Sequence, residues 1–147
     1  MKNATKTMRV LMIVAAFAIV SLTAANAQTT GRFDIPFEFV AGETTLPAGE
    51  YKVKVEASSA LIQIVNANER TALYLLAIPK QAKDAPATGR LEFRRNGDIY
   101  VLTTVWVRNS DRGLQMPAKQ VERELARSAE ESSTIAYVNE IAPSRGQ

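Results

Sequence analysis

The feature that most constrains this chain is the strict alternation of Phe33-Asp34-Ile35-Pro36-Phe37-Glu38-Phe39, with four large apolar side chains on one face and Asp34, Pro36 and Glu38 on the other. A period of two puts successive side chains on opposite faces of an extended backbone, so the segment reads as a strand with one buried face. Pro36 has no N–H for a ladder and predicts a sheet edge or a bulge. Tyr51-Lys52-Val53-Lys54-Val55-Glu56 repeats the pattern, with Tyr51, Val53 and Val55 inward and the charges outward, and Arg90-Leu91-Glu92-Phe93-Arg94 alternates again.

Turn signals separate these runs. Ala41-Gly42-Glu43 precedes a short Thr44-Thr45-Leu46, and Leu46-Pro47-Ala48-Gly49 suits a type I turn with proline second and glycine fourth. Leu61 to Val65 and Thr71 to Ile78 are nearly continuous apolar runs, with Asn66-Ala67-Asn68-Glu69 as the turn between them. Such runs fit strands covered on both faces, although period alone does not separate them from a buried helix. Pro79 to Gly89 reads as the longest loop, and Asn96-Gly97 as a hairpin with a type I′ turn. Ile99 to Val107 has apolar groups on both faces, as a central strand would: Ile99, Val101, Val105 and Val107 on one, Tyr100, Leu102 and Trp106 on the other.

After Asn109-Ser110-Asp111-Arg112-Gly113 the period changes. Ala118, Val121, Leu125 and Ala129 recur at helical spacing among charged residues, and Pro117 suits a first helical position. The stripe is narrow, and it predicts docking on the sheet more than a free face. Ile135-Ala136-Tyr137-Val138 is a last apolar patch before a frayed end. The expected fold is mainly β, a small antiparallel β-sandwich or barrel of six to seven strands with one C-terminal α-helix. Its expected divisions are a β domain over 28–113, a helix over 114–133 and a tail over 134–147.

Residues 1–27 have a different character. They carry Lys2, Lys6 and Arg9 with no acidic residue, then an apolar run from Val10 to Val20, then Ala25-Asn26-Ala27. These are the three parts of a secretory signal peptide, with Gln28 as the expected mature N-terminus. The run is shorter than the roughly 20 residues a spanning helix needs, which favours cleavage over an uncleaved anchor. No transmembrane segment is expected after cleavage, and the expected location is periplasmic or extracellular.

The same segment accounts for the formal net charge of +3: three of the 18 Lys and Arg residues lie in it, leaving 15 against 15 Asp and Glu in residues 28–147. A neutral domain gives no reason to expect a nucleic-acid partner. The chain has no cysteine and no histidine, which excludes disulfides, thiol nucleophiles, Ser-His-Asp chemistry and ordinary zinc sites. No Asp-x-Asp-x-Asp-Gly loop offers a calcium site, so no cofactor or metal is expected.

Phe37-x-Phe39, Gly42 and Leu46-Pro47-Ala48-Gly49-Glu50-Tyr51 form a first landmark; Gly97-Asp98-x-Tyr100-x-Leu102 with Val105-Trp106 form a second; Glu122-Arg123-Glu124-Leu125-Ala126 form a third. In this order they resemble a group of small exported bacterial proteins of unknown function, over roughly residues 33–127. The stretch before the helix, Arg112-Gly113-Leu114-Gln115-Met116-Pro117, departs from that group's more usual Gly-Arg-Glu-Leu-Pro. The resemblance implies a compartment and no activity.

Candidate sites are few. Tyr74, Tyr100 and Trp106 are candidate ligand-facing aromatics for a glycan or apolar ligand, although strand aromatics are more often core. Arg90, Arg94, Arg95, Arg108 and Arg112 flank the Asn96-Gly97 hairpin and could gather as an anion patch, but Glu92, Asp98 and Asp111 lie among them. Asp34 and Glu38 are about 13 Å apart in strand rise, and Glu122 and Glu124 do not face each other on a helix, so neither is an acid–base pair. No catalytic residue is assigned. The expected function is that of an exported non-enzymatic β domain binding an unidentified protein or envelope component through a sheet edge or the helix, its oligomeric state left open by the sequence. The alternative is a carrier holding an apolar or glycan ligand in a sandwich or barrel pocket. An internal apolar cavity separates the two.

Overall fold

A computed structural model of the chain describes residues 28–68, 72–127 and 133–142. The expected signal segment and Ala129 lie outside the described residues. Among the described residues the fold is mainly β, two sheets packed face to face with one helix near the C-terminal end. The first sheet runs in the order β1 (Gln28–Ile35), β4 (Gly49–Glu56), β5 (Leu61–Asn66) and β6 (Ala72–Leu76), all antiparallel. The second runs β11 (Ser133–Asn139), β8 (Arg90–Asn96), β9 (Ile99–Trp106), β10 (Arg112–Gln115) and β7 (Ile78–Gln81). The hairpin β2 (Phe39–Ala41) and β3 (Thr44–Leu46) joins it through one parallel bridge, Val40 to Val101. The helix, α1, is Ala118–Leu125.

The strands outnumber the six to seven expected, for identifiable reasons. Pro36 ends the alternating run 33–39 as a single strand, and the chain crosses between sheets there: Phe33 and Ile35 belong to the first sheet and Phe39 to the second, all buried. Of the run 71–78, expected to be covered on both faces, the described part 72–78 divides at Ala77 into β6 and the start of β7 and buries only alternate side chains. Pro79 lies in β7 rather than in the loop. The Ala82 N–H to Asp111 C=O bond (2.7 Å) sets the phase of the ladder, so the missing Pro79 N–H faces away from β10. Arg112 to Gln115, divided in the sequence reading between loop and helix, is β10, and the expected tail contributes β11. A four-residue strand such as β10 carries too little alternation to show in a sequence.

Both seams between the sheets are stitched. β6 passes directly into β7, with the Ala77 N–H on the Ala60 C=O (2.9 Å). On the other side the Ile141 N–H bonds to the Arg32 C=O (2.8 Å). Between the sheets lie Phe33, Ile35, Phe39, Tyr51, Val53, Val55, Ile62, Ile64, Leu91 and Phe93. Edge-to-face rings tie the centre, Phe39 to Tyr51 at 5.3 Å and Phe39 to Phe93 at 5.4 Å. The Tyr51 hydroxyl donates to the Pro47 carbonyl (2.7 Å), so the Leu-Pro-Ala-Gly-x-Tyr sequence locks its own turn.

A bulge in β9 sets what faces inward. Glu92 pairs with Thr104 but Phe93 pairs with Leu102, leaving Thr103 without an opposite residue. The Thr103 hydroxyl donates to the Glu92 carbonyl (3.0 Å), and its own carbonyl accepts the Met116 N–H (2.8 Å). The bulge reverses the phase, so Tyr100, Leu102 and Val105 share the inner face while Val101, Thr104 and Trp106 take the outer one. Tyr100 and Trp106 are therefore not face-mates, as uninterrupted alternation would have made them. The hairpin after β8 differs too. Its loop is Gly97-Asp98, with positive φ at Gly97 alone (59°), as a type II′ turn requires, and Asn96 is freed to point outward beneath the helix.

The helix docks on the sheet. Val121 and Leu125 are buried over β9 and β8, while Lys119, Glu122 and Arg123 face solvent. The Asn96 Nδ2 donates to the Leu125 carbonyl (3.1 Å), satisfying an acceptor that the helix end leaves open. Among the described residues no helix is long and apolar enough to cross a membrane.

Candidate interaction surface

Three large apolar groups are left in water on the strand that closes the sandwich. Tyr74 is 59% exposed, Leu76 73% and Ile78 54%. They are alternate residues of β6 and β7, spaced about 6.8 Å apart, so they form one stripe around the outside of the corner. Their neighbours Leu75, Leu73 and Ala77 point the other way and are buried or half-buried. Leu61 stands opposite Leu76 and widens the stripe, and Gln63 Nε2 donates to the Tyr74 hydroxyl (2.8 Å), fixing the ring. No charged side chain lies between Ala72 and Ile78.

The three sequence-derived aromatics do not meet. Tyr74 is in this stripe, on the first sheet. Tyr100 is half-buried and stacks on Phe37 at 3.9 Å, with the Arg95 guanidinium 5.4 Å from its ring. Trp106 lies on the outer face of the second sheet, only 6% exposed, with Lys80 Nζ 5.5 Å from its ring. The indole lies across its cross-strand neighbour Gly113, where an added Cβ would stand 2.5 Å from its Cε3. Its N–H is buried without a hydrogen-bond partner. A shared aromatic platform is thereby ruled out.

The arginines also disperse. Arg90 and Arg94 share the outer face of β8, where Arg90 bonds Glu92 (3.1 Å) and covers the Tyr137 ring at 4.9 Å. Arg95 is exposed and donates to the Gly97 carbonyl (2.7 Å), and Arg108 is held by Glu140 (3.1 Å).

One charged group of the helix is buried. Glu124, which stands among the exposed charges Lys119, Glu122 and Arg123, is 1% exposed, and its Oε2 lies 2.8 Å from Arg127 Nη1. It borders a cleft of about 150 Å³ with Asp98, Tyr100 and Arg127. Its position one residue before the buried Leu125, beside the apolar stripe, was the available signal. A second open cleft, about 190 Å³, lies between α1 and the outer face of β8 to β10, lined by Glu92, Thr104, Gln115 and Val121 among others. The void at the β1–β11 seam, beside Phe33, Val53 and Trp106, is about 10 Å³, too small for a ligand. Among the described residues no three acidic side chains converge to hold a metal ion. What these surfaces offer chemically is apolar contact, backbone pairing at strand edges, and charged clefts open to solvent.

No family model matches the chain, and neither any curated protein nor any solved structure matches it.

Proposed function

We propose that the chain is an exported, non-enzymatic β domain that holds a partner protein or envelope component against the stripe Tyr74, Leu76 and Ile78. The observation that carries this reading is the exposure of that stripe on a strand whose opposite face is packed into the core. Three large apolar side chains in a row, fixed by a folded scaffold and rimmed by Gln63 and Gln115, give the apolar centre and polar rim of a protein contact. Export is inferred from the cations, the short apolar run and the Ala25-x-Ala27 exit of the first 27 residues.

A photoreactive residue placed at 76 in cells should give a discrete cross-linked adduct, and one placed at Lys52, on the same outer face but away from the stripe, should not. Equal labelling at both positions would remove the stripe as the contact. Intact-mass analysis of the exported chain should show Gln28 as its first residue; retained Met1 would point to an anchor.

A further inference from the structure

The edge strand β11 carries a second exposed apolar pair, Ile135 at 55% and Tyr137 at 54%. Their backbone groups are directed as well. The Glu140 N–H bonds to the Gly89 carbonyl (2.8 Å), so in the antiparallel ladder Val138, Ala136 and Thr134 bond back to β8. The N–H and C=O of Asn139, Tyr137 and Ile135 therefore point away from the sheet. Ile141, in the same phase, confirms the direction by donating to Arg32 of β1 (2.8 Å).

Exposed edges are ordinarily blunted by charge, proline or a bulge. β7 has Pro79 in its outward phase. β11, Ser-Thr-Ile-Ala-Tyr-Val-Asn, has no charge, no proline and no glycine, and its register with β8 runs without a shift over seven residues. An outward backbone row with exposed apolar side chains is a template for another strand.

We propose that this edge pairs with the same edge of a second copy of the chain, antiparallel about a two-fold axis at Ala136. The occupant follows from the strand's own chemistry. Antiparallel self-pairing about residue 136 puts each outward hydrogen-bonding residue opposite another, with Ile135 of one copy facing Tyr137 of the other, an aromatic–β-branched pair formed twice. With no charge on the strand, no like charges meet. The arrangement extends the second sheet through both copies and consumes the edge, so it closes as a dimer instead of growing. One strand edge per copy is a small interface, at or below the roughly 1,200 Å² of specific complexes, so dimerisation is concentration-dependent.

Sedimentation of the purified chain from about 1 μM to about 1 mM should show the mass double across that range. Amide exchange at Ile135 and Tyr137 should slow as the dimer forms. Tyr137→Lys should return the chain to single-copy mass with an unchanged melting temperature, whereas Leu76→Lys, in the other surface, should leave the dimer intact. Because the chain has no cysteine of its own, Ala136→Cys tests the register. Directly opposed non-hydrogen-bonded residues bring their Cα atoms to about 4.5 Å, within disulfide reach, and the variant should link to itself under mild oxidation. A chain monomeric throughout, a dimer indifferent to Tyr137→Lys or lost with Leu76→Lys, or a mass rising beyond two copies would each overturn the proposal. None of these results bears on adducts formed at position 76.

Discussion

The two outer faces of the sandwich begin from the same kind of alternating strand and end differently. On the first sheet the outward residues Arg32, Lys52, Tyr74 and Leu76 are exposed, with no described element laid over them. At the centre of the second, α1 packs over β9 and an indole lies flat across Gly113, so the outward side chains Val101, Thr104 and Trp106 are as buried as inward ones. Period two fixes which side chains share a face, and the layer above decides whether that face is core. Large apolar groups on the bare face are available for contact, whereas those on the covered face hold the fold together.

Substitutions can break this contrast, and the largest effect belongs to the covered face. Trp106→Ala should cost about 3–5 kcal/mol by urea unfolding, while Trp106→Phe should be clearly milder, because the buried indole N–H has no hydrogen bond to lose. If both variants fell equally, the packing account of this residue would fail. Gly113→Ala should cost about 1–3 kcal/mol, since the new methyl meets the indole at 2.5 Å and the Val105 carbonyl at 2.8 Å. A neutral result would mean that the indole moves freely.

Asn96→Ala removes the side-chain bond to the Leu125 carbonyl and should cost about 1 kcal/mol, with the loss confined to helical signal if α1 alone loosens. On the bare face, Tyr74→Ala should change stability by no more than about 0.5 kcal/mol. A larger loss there would mean that the stripe supports the fold and is not a reserved contact surface. Fluorescence offers the gentlest comparison. Trp106, at 6% exposed, should emit at short wavelength and resist a soluble quencher, while Tyr74 on the bare face should react readily with a phenol-selective reagent.

Much of the core was legible from alternation alone. Of the residues that period places on one inner face, Phe33, Ile35, Phe39, Tyr51, Val53 and Val55 are buried and Phe37 is half-buried, and the alternating Leu91 and Phe93 are buried too. The positions of Gly42 and Gly97 at turns were legible as well, because both hold positive φ, 65° and 59°, where a Cβ is unfavourable. The candidate site was legible only in part. Tyr74 was singled out for its ring, but the stripe it belongs to was read as buried, because a continuous apolar run looks the same whether one face or both are covered. That β11 lies at the edge of the second sheet among the described strands was invisible, since nothing local in Ser133–Asn139 says which strand lies beside it.

By itself, then, the sequence determined a β fold with a C-terminal helix, the facing of β1 and β4 and most of the places where the chain turns, because these depend on side-chain period and backbone sterics within a few residues. Only the tertiary structure decided the rest. Pro36 sends one alternating run into two sheets, the bulge at Thr103 turns Trp106 outward, and Asn96 is spent on the helix end. It likewise decided that β6 and β11 keep apolar side chains in water. Each of these depends on which elements become neighbours, a matter of long-range pairing and packing that no local pattern of residues records.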